Sequence, residues 1–258
     1  MTYANIRYDL ADNVATITLN RPDRLNAITP ALFEDVSAAL DQAVAEGARC
    51  VLLTGEGRAF CSGADLQAEG GLPEDPGELL DSHYNPLAEK FAALPIPVVS
   101  AINGLAAGAG CSVALWGDYV LAARSAYFLL AFVNIGLVPD AGATWLVAKA
   151  VGRARALEMT MLGERVPAEK AAEWGLINRV VEDVVLIEEA RALATRLANG
   201  PTLAMALIRR SVRHALTDDL TPVLTRERND QKTAGASADF KEGVLAFLEK
   251  RPARYEGK

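Results

Sequence analysis

The chain has 258 residues, 51% of them hydrophobic and 23% charged, with a net charge of −7 and a sequence pI of about 5.0. That is enough length and apolar content for one large globular core, and the acidic balance argues against nucleic-acid binding; an anionic ligand would need locally placed Lys or Arg. Cys50, Cys61 and Cys111 are odd in number and lack CxxC spacing, which points to free thiols in a reducing, cytoplasmic setting rather than a disulfide framework or zinc site.

The opening "MTYANIRYDLADNVATITL" lacks the basic-then-apolar order of a signal peptide, and "IRYDLADNVATITLN" alternates around an Asp-Asn turn as a β-hairpin does. A helix is predicted from a Thr29 cap with Pro30 in its first turn, through the apolar row Leu32, Val36, Leu40 and Val44, to Gly47. "CVLLTG" reads as a buried strand running into the loop "EGRAFCSGADL", followed by the weakly patterned "EGGLPEDPGELL" and a helix at 78–94. Strand "PVVSAI" leads through the loop "NGLAAGAG" into the helix "CSVALWG". This uncharged segment, 98–117, is long enough to span a bilayer, but Ser100, Asn103 and its glycines favour buried strand, turn and helix over a membrane span. Strand "YVLAA" and a helix at 141–150 come next, then "RARALEMTMLG", "AEKAAEWG", the strand "INRVVE", "VLIEEARALATRLANG" and three helices after Pro201. Alternating β and α units followed by helices alone predict an α/β core over 1–200 and a helical region over 201–258.

Several chemistries are hard to assemble here. There are only two histidines, His83 and His214, with no metal-ligand spacing, so no metal site is expected. The turn Phe60-Cys61-Ser62-Gly63-Ala64 lacks the first glycine of a nucleophile elbow. "GAGCSV" starts like a dinucleotide fingerprint, yet Val113 fills the third small position and no acid closes the next strand at Ala122-Ala123-Arg124. What remains is two glycine-rich loops, "FCSGADL" (60–66) and "NGLAAGAG" (103–110), each joining a strand to a helix. Small residues let backbone N–H groups approach a ligand, and two such loops converging would make an oxyanion hole; tight packing turns are the plain alternative.

"LNRPDRLNAI", "AFCSGADL", "AINGLAAGAG" and "GLVPDAGAT", in this order and at these separations, resemble the enoyl-CoA hydratase/isomerase, or crotonase, superfamily over nearly the whole chain. The resemblance implies an α/β crotonase (ClpP-like) fold, a repeated ββα spiral core with a C-terminal helical trimerisation region, assembled as a homo-trimer or hexamer. It implies an acyl-CoA thioester substrate, with coenzyme A belonging to the substrate and no separate cofactor. The carbonyl would sit between the N–H groups of Ala64 and Ala109, with Gly108 the alternative for the second. The backbone from Ser62 through Gly63, Ala64 and Asp65 to Leu66 would face the adenine and thioester, with Asp65 supporting its loop. Arg24 matches a basic position near the nucleotide phosphates; Phe240 and Lys241 match positions meeting the adenine from a neighbouring subunit, although taken alone Arg24 and Lys241 read as surface residues and Phe240 as core.

Hydratases of the family activate water with two glutamates, and the matching positions here are Ser112 and Phe132; neither is an acid, and none lies between Ser125 and Pro139. The run "FVNIGLVPDAGATWLVAKAVGRARALEMTMLG" instead resembles the phenylacetate-pathway branch, which converts ring-epoxidised phenylacetyl-CoA to its oxepin form and is similar to 3-enoyl to 2-enoyl-CoA isomerases. Ala143 stands where many relatives have glycine. Asp140, the only charged residue between Arg124 and Lys149, would be the proton shuttle. Asp before a helix is also a favoured N-cap. The two roles predict opposite pKa shifts: lowered for a cap, raised for a shuttle in an apolar cavity flanked by Phe132 and Val138. A weak hydratase and a non-catalytic acyl-CoA-binding or assembly protein stay open beside the isomerase. Residues 67–90 are expected to border the acyl group, with His83 and Tyr84 lining it or packing as a surface lid.

Overall fold

The computed structural model describes residues 2–67 and 75–258. The expected acyl-pocket border, 67–90, therefore lies partly outside the described residues, at 68–74. β1 (Ile6–Ala11) and β2 (Val14–Leu19) form the expected hairpin, turned by Asp12 and Asn13 at φ 53° and 62°. Positive φ at both central residues matches the right-handed twist of the strands, and Asp and Asn tolerate it. α1 (Pro30–Ala45) starts where the Leu32 N–H donates to Thr29 Oγ1 at 3.2 Å. Its apolar row departs from expectation at the end: Val44 is 41% exposed while Ala43 is buried. Steps of four residues overshoot a 3.6-residue turn by about 40° each, so the row winds off the core face.

The chain continues through β3 (Cys50–Gly55), β4 (Ala59–Cys61), β5 (Val98–Ile102), β6 (Leu105–Ala107), β7 (Tyr119–Ala123), β8 (Tyr127–Leu129), β9 (Val166–Pro167) and β10 (Arg179–Val181). A six-stranded sheet has the order β1-β2-β3-β5-β7-β10, parallel from β2 onward, and a four-stranded sheet has the order β4-β6-β8-β9, with β9 antiparallel at its edge. From β3 to β8, each consecutive strand pair adds one strand to both sheets. Helices follow the pairs: α2 (Pro76–Leu79) and α3 (Asn85–Ala93), then α4 (Ala109–Leu115), then α5 (Ala143–Leu162), with α6 (Ala168–Glu173) before β10. This is the ββα spiral that the resemblance implies. β3 and β5 are buried along their whole length, as parallel strands covered on both faces must be.

β4, β6 and β8 were not predicted. Each has three residues, too few to show a period, and β6 lies inside the expected loop "NGLAAGAG"; pairing with neighbours defines them. The helix expected at 78–94 is α2 and α3 joined by a wider π turn at Leu80–Tyr84, and α5 joins two helical runs across a kink at Gly152 (φ 75°, ψ 169°). The segment 98–117 holds β5, β6 and α4, and among the described residues no helix is long and apolar enough to cross a membrane. After α7 (Leu186–Ala198) come α8 (Thr202–Ala215), α9 (Leu220–Gly235) and α10 (Ala238–Glu249). Arg49 ties the C-terminal tail to the core, donating to Thr202 Oγ1 at 2.9 Å and Tyr255 O at 3.0 Å.

Asn26, fully buried at φ 55°, fastens the segment after β2 to the β3–β4 link. Its Nδ2 donates to Ala59 O at 2.8 Å and Glu56 O at 3.0 Å, and its Oδ1 accepts the Arg21 N–H at 2.8 Å. Asn26→Ala removes three hydrogen bonds, leaving Ala59 O its 3.3 Å bond from Asn103 Nδ2, so it is expected to destabilise the protein by about 2–3 kcal/mol in urea unfolding.

Candidate active site

β4, β6 and β8 are parallel neighbours, so their C-terminal ends open side by side, where ligands of parallel sheets collect. β4 releases residues 62–66, β6 releases Gly108 and Ala109, and β8 releases the stretch from Phe132 to Asp140. The first two meet closely. A Cβ on Gly63, which has φ +88°, would lie 2.8 Å from Ala107 O, and one on Gly108 would lie 3.7 Å from Gly63 Cα and 3.9 Å from Phe132 Cζ. Only glycine allows this approach, and Phe132 closes the same spot from the third strand.

The hydrogen bonds identify the free donors. Ile28 bridges Ala64 by donating to Gly63 O at 2.8 Å and accepting the Asp65 N–H at 2.9 Å, a parallel pattern that turns the Ala64 N–H away. The Ser62 N–H is used by Leu25 O, and the Gly108 N–H by Leu129 O at 2.8 Å, which removes Gly108 as the second donor. Ala109 opens α4, so its N–H has no intrahelical acceptor. Among the described residues, the Ala64 and Ala109 N–H groups have no acceptor. Asp65 holds the first loop through an ion pair with Arg21 at 3.0 Å and by accepting the Gln67 N–H. Arg21 was not singled out in the sequence, where "RPDR" offers two arginines; only its partner tells it from Arg24.

Asp140 does not cap a helix. α5 begins at Ala143 with Gly142 as its N-cap residue, and among the described residues Asp140 Oδ1 is buried without a hydrogen-bond partner. Burial raises its pKa from the ordinary 3.8 to about 6, with no opposing charge or hydrogen bond. Its main chain, by contrast, is held firmly. Ser112 Oγ donates to Asp140 O at 3.0 Å and Trp116 Nε1 donates to Ala141 O at 3.0 Å. The buried Tyr84, whose ring lies 4.8 Å from that of Phe33, has its pKa raised by burial and then by the charge of Asp140. Val138 is 78% exposed and does not flank the carboxylate; the turn that buries Asp140 points Val138 outward.

The remaining expected residues lie apart from this cluster. Arg24 is exposed, its guanidinium 3.0 Å from Gln67 Oε1, and Leu66, the last residue of the first loop, is exposed. Phe240 is 54% exposed on α10, not in the core, and Lys241 is exposed beside it; α10 packs on α9. His83 contacts Ser82 and Glu34. The three cysteines are buried free thiols, each pushed up to about 12 by burial and so unreactive as nucleophiles. Among the described residues, no three acidic, His or Cys side chains gather as a metal site would need.

Residues 9–258 match the family model described as enoyl-CoA hydratase/isomerase. The chain is 46% identical over 250 residues, 95% of both proteins, to a 1,2-epoxyphenylacetyl-CoA isomerase of Escherichia coli. It is 45% identical over the full length of both chains to a probable enoyl-CoA hydratase of Rhodobacter capsulatus. Its structure superposes on an enoyl-CoA hydratase subunit I from Geobacillus kaustophilus with a TM-score of 0.93, at 38% identity and 99% coverage of each chain.

The unpartnered carboxylate affects stability apart from any catalysis. Between pH 3.8 and about 6 the folded state binds more protons than the unfolded one, so Asp140 lowers stability as pH rises through that window. Asp140→Asn carries no charge at any pH. It is expected to be more stable than the parent at pH 8 by roughly 1–2 kcal/mol after discounting for partial exposure, with the two converging near pH 4 in urea unfolding.

Proposed function

This chain belongs to the enoyl-CoA hydratase/isomerase family, and we propose that it acts there as an acyl-CoA isomerase. The observation that carries this reading is Asp140, whose buried Oδ1 has no partner among the described residues and whose pKa is raised to about 6. A carboxylate in that state is a competent base near neutral pH, and once protonated it returns its proton readily. Ser112 and Phe132 stand where hydratases of the family carry glutamates, so neither position supplies an acid to hold water, and the Ser112 hydroxyl donates to Asp140 O instead.

On a 3-enoyl-CoA, the thioester oxygen accepts from the Ala64 and Ala109 N–H groups. Asp140 takes a proton from C2, and the electron pair moves onto the carbonyl oxygen as a dienolate. Asp140 then delivers that proton to C4, the carbonyl reforms, and the double bond lies between C2 and C3. Each N–H acts where negative charge develops, worth roughly 2.7–4 kcal/mol per donor. The 46% identical isomerase supports the ring epoxide of phenylacetyl-CoA as the other substrate for the same donors and acid. Arg24, exposed and bonded to Gln67, would meet the nucleotide phosphates as the family resemblance implies. Phe240 and Lys241 would serve the adenine from a neighbouring subunit of a homo-trimer or hexamer, and the exposed Ile208, Val212, Leu224 and Phe247 on α8–α10 favour such an assembly.

A paired turnover assay tests the reading. The purified chain is given a 3-enoyl-CoA, with conjugation followed, and crotonyl-CoA, with hydration followed. Isomerisation is expected, falling by about 100-fold or more in Asp140→Asn, with little hydration. Hydration that survives in the variant would instead support the probable-hydratase relative and remove Asp140 from the chemistry.

A further inference from the structure

α4 touches both halves of the proposed chemistry. Its first residue, Ala109, supplies a free N–H, and Ser112 within it and Trp116 at its C-cap, one helical turn apart, donate to the consecutive carbonyls of Asp140 and Ala141. The turn they hold is strained and tightly confined. Ala141 sits at φ 47°, where an L-residue is destabilised by about 1–2 kcal/mol. A Cβ on Gly142 would stand 2.7 Å from Trp116 Cζ2, and Trp116 is backed by Trp145, with ring centroids 6.4 Å apart and planes 11° from parallel. Neither donor touches the Asp140 carboxylate; both act on its backbone.

We propose that Ser112 and Trp116 are positioning residues that brace the Asp140–Ala141–Gly142 turn, fixing the carboxylate at a set distance from the Ala109 N–H. The proposal rests on the isomerase reading for its catalytic consequence and on geometry alone for its structural one. The brace keeps Asp140 Oδ1 turned inward, with the buried Tyr84 hydroxyl the titratable group whose ionisation its charge opposes. Without it, the turn keeps only its own bond from the Ala143 N–H to Asp140 O (2.9 Å), and the strain at Ala141 lets the carboxylate swing toward solvent.

The test uses the full chain with Ser112→Ala, Trp116→Phe, their double variant and Ser112→Thr, which keeps a hydroxyl. With a 3-enoyl-CoA, each single variant is expected to lower kcat by ~10- to 100-fold while KM stays within about threefold, because the acid is misplaced and the thioester site is not. Ser112→Thr should recover most of the loss. The double variant should lose less than the product of the singles, since both donors serve one turn. A second readout needs no turnover: carboxyl-13C aspartate NMR, with the Asp140→Asn spectrum subtracted. Asp140 should titrate near 6 in the parent and move down toward the ordinary carboxylate range in the variants. If the parent does not isomerise, the functional reading fails and the titration still decides the brace. Unchanged kcat together with an unchanged Asp140 titration in folded Ser112→Ala overturns the proposal, and that smaller change decides if Trp116→Phe does not fold.

Discussion

The close approach of two backbones at Gly63 and Ala107–Gly108 is the constraint on which the site depends. Parallel strands deliver their ends to one edge, and three-residue strands leave little length over which to diverge. Any side chain at Gly63 would meet Ala107 O and force β4 and β6 apart. The separation of the Ala64 and Ala109 N–H groups is therefore set by the spiral itself, with no side chain adjusting it. Donors built this way are rigid, because moving them means unpairing a sheet. They cost no reorganisation when charge develops on a ligand oxygen.

The acid is held differently. Asp140 lies on a turn rather than a strand or helix, and among the described residues no hydrogen bond anchors its buried Oδ1. An anchor on the carboxylate would lower its pKa and hold the charged form, as a helix N-terminus does. Fixing the main chain instead leaves burial to act alone, and burial favours the neutral acid. The Ser112 and Trp116 contacts to backbone carbonyls and the raised pKa of Asp140 are thus compatible parts of one arrangement.

Much of this was legible in the sequence, and what was not has a physical reason. The glycine loops, the hairpin turn and Asp140 are local signals, since each needs a residue type at one position. β4, β6 and β8 are too short to show periodicity and are defined by partners tens of residues away. Val138 was misplaced because an apolar neighbour in sequence need not be a neighbour in a turn. Ser112 was read only as a missing acid; its hydrogen bond to Asp140 O, 28 residues on, has no sequence signature. Arg21 and Arg24 share one motif, and only the ion pair with Asp65 separates their roles.

A division of labour follows from where each function is encoded. The donors proposed for the oxyanion hole are main-chain atoms, so any sequence that keeps the small residues keeps them. The acid–base chemistry is carried by side chains and can change without disturbing the spiral. At position 112 the side chain points from α4 toward the Asp140 turn, and its length decides what it reaches. A hydroxyl ends at the Asp140 carbonyl and serves as a strut. An ionised carboxylate there could not donate that bond and would bring a second charge to the turn that carries Asp140. Like charges at such distance raise the pKa of one member of the pair, which would change the reaction that Asp140 could support. Serine at this position therefore does more than lack an acid: it leaves Asp140 as a solitary, buried and well-placed carboxylate.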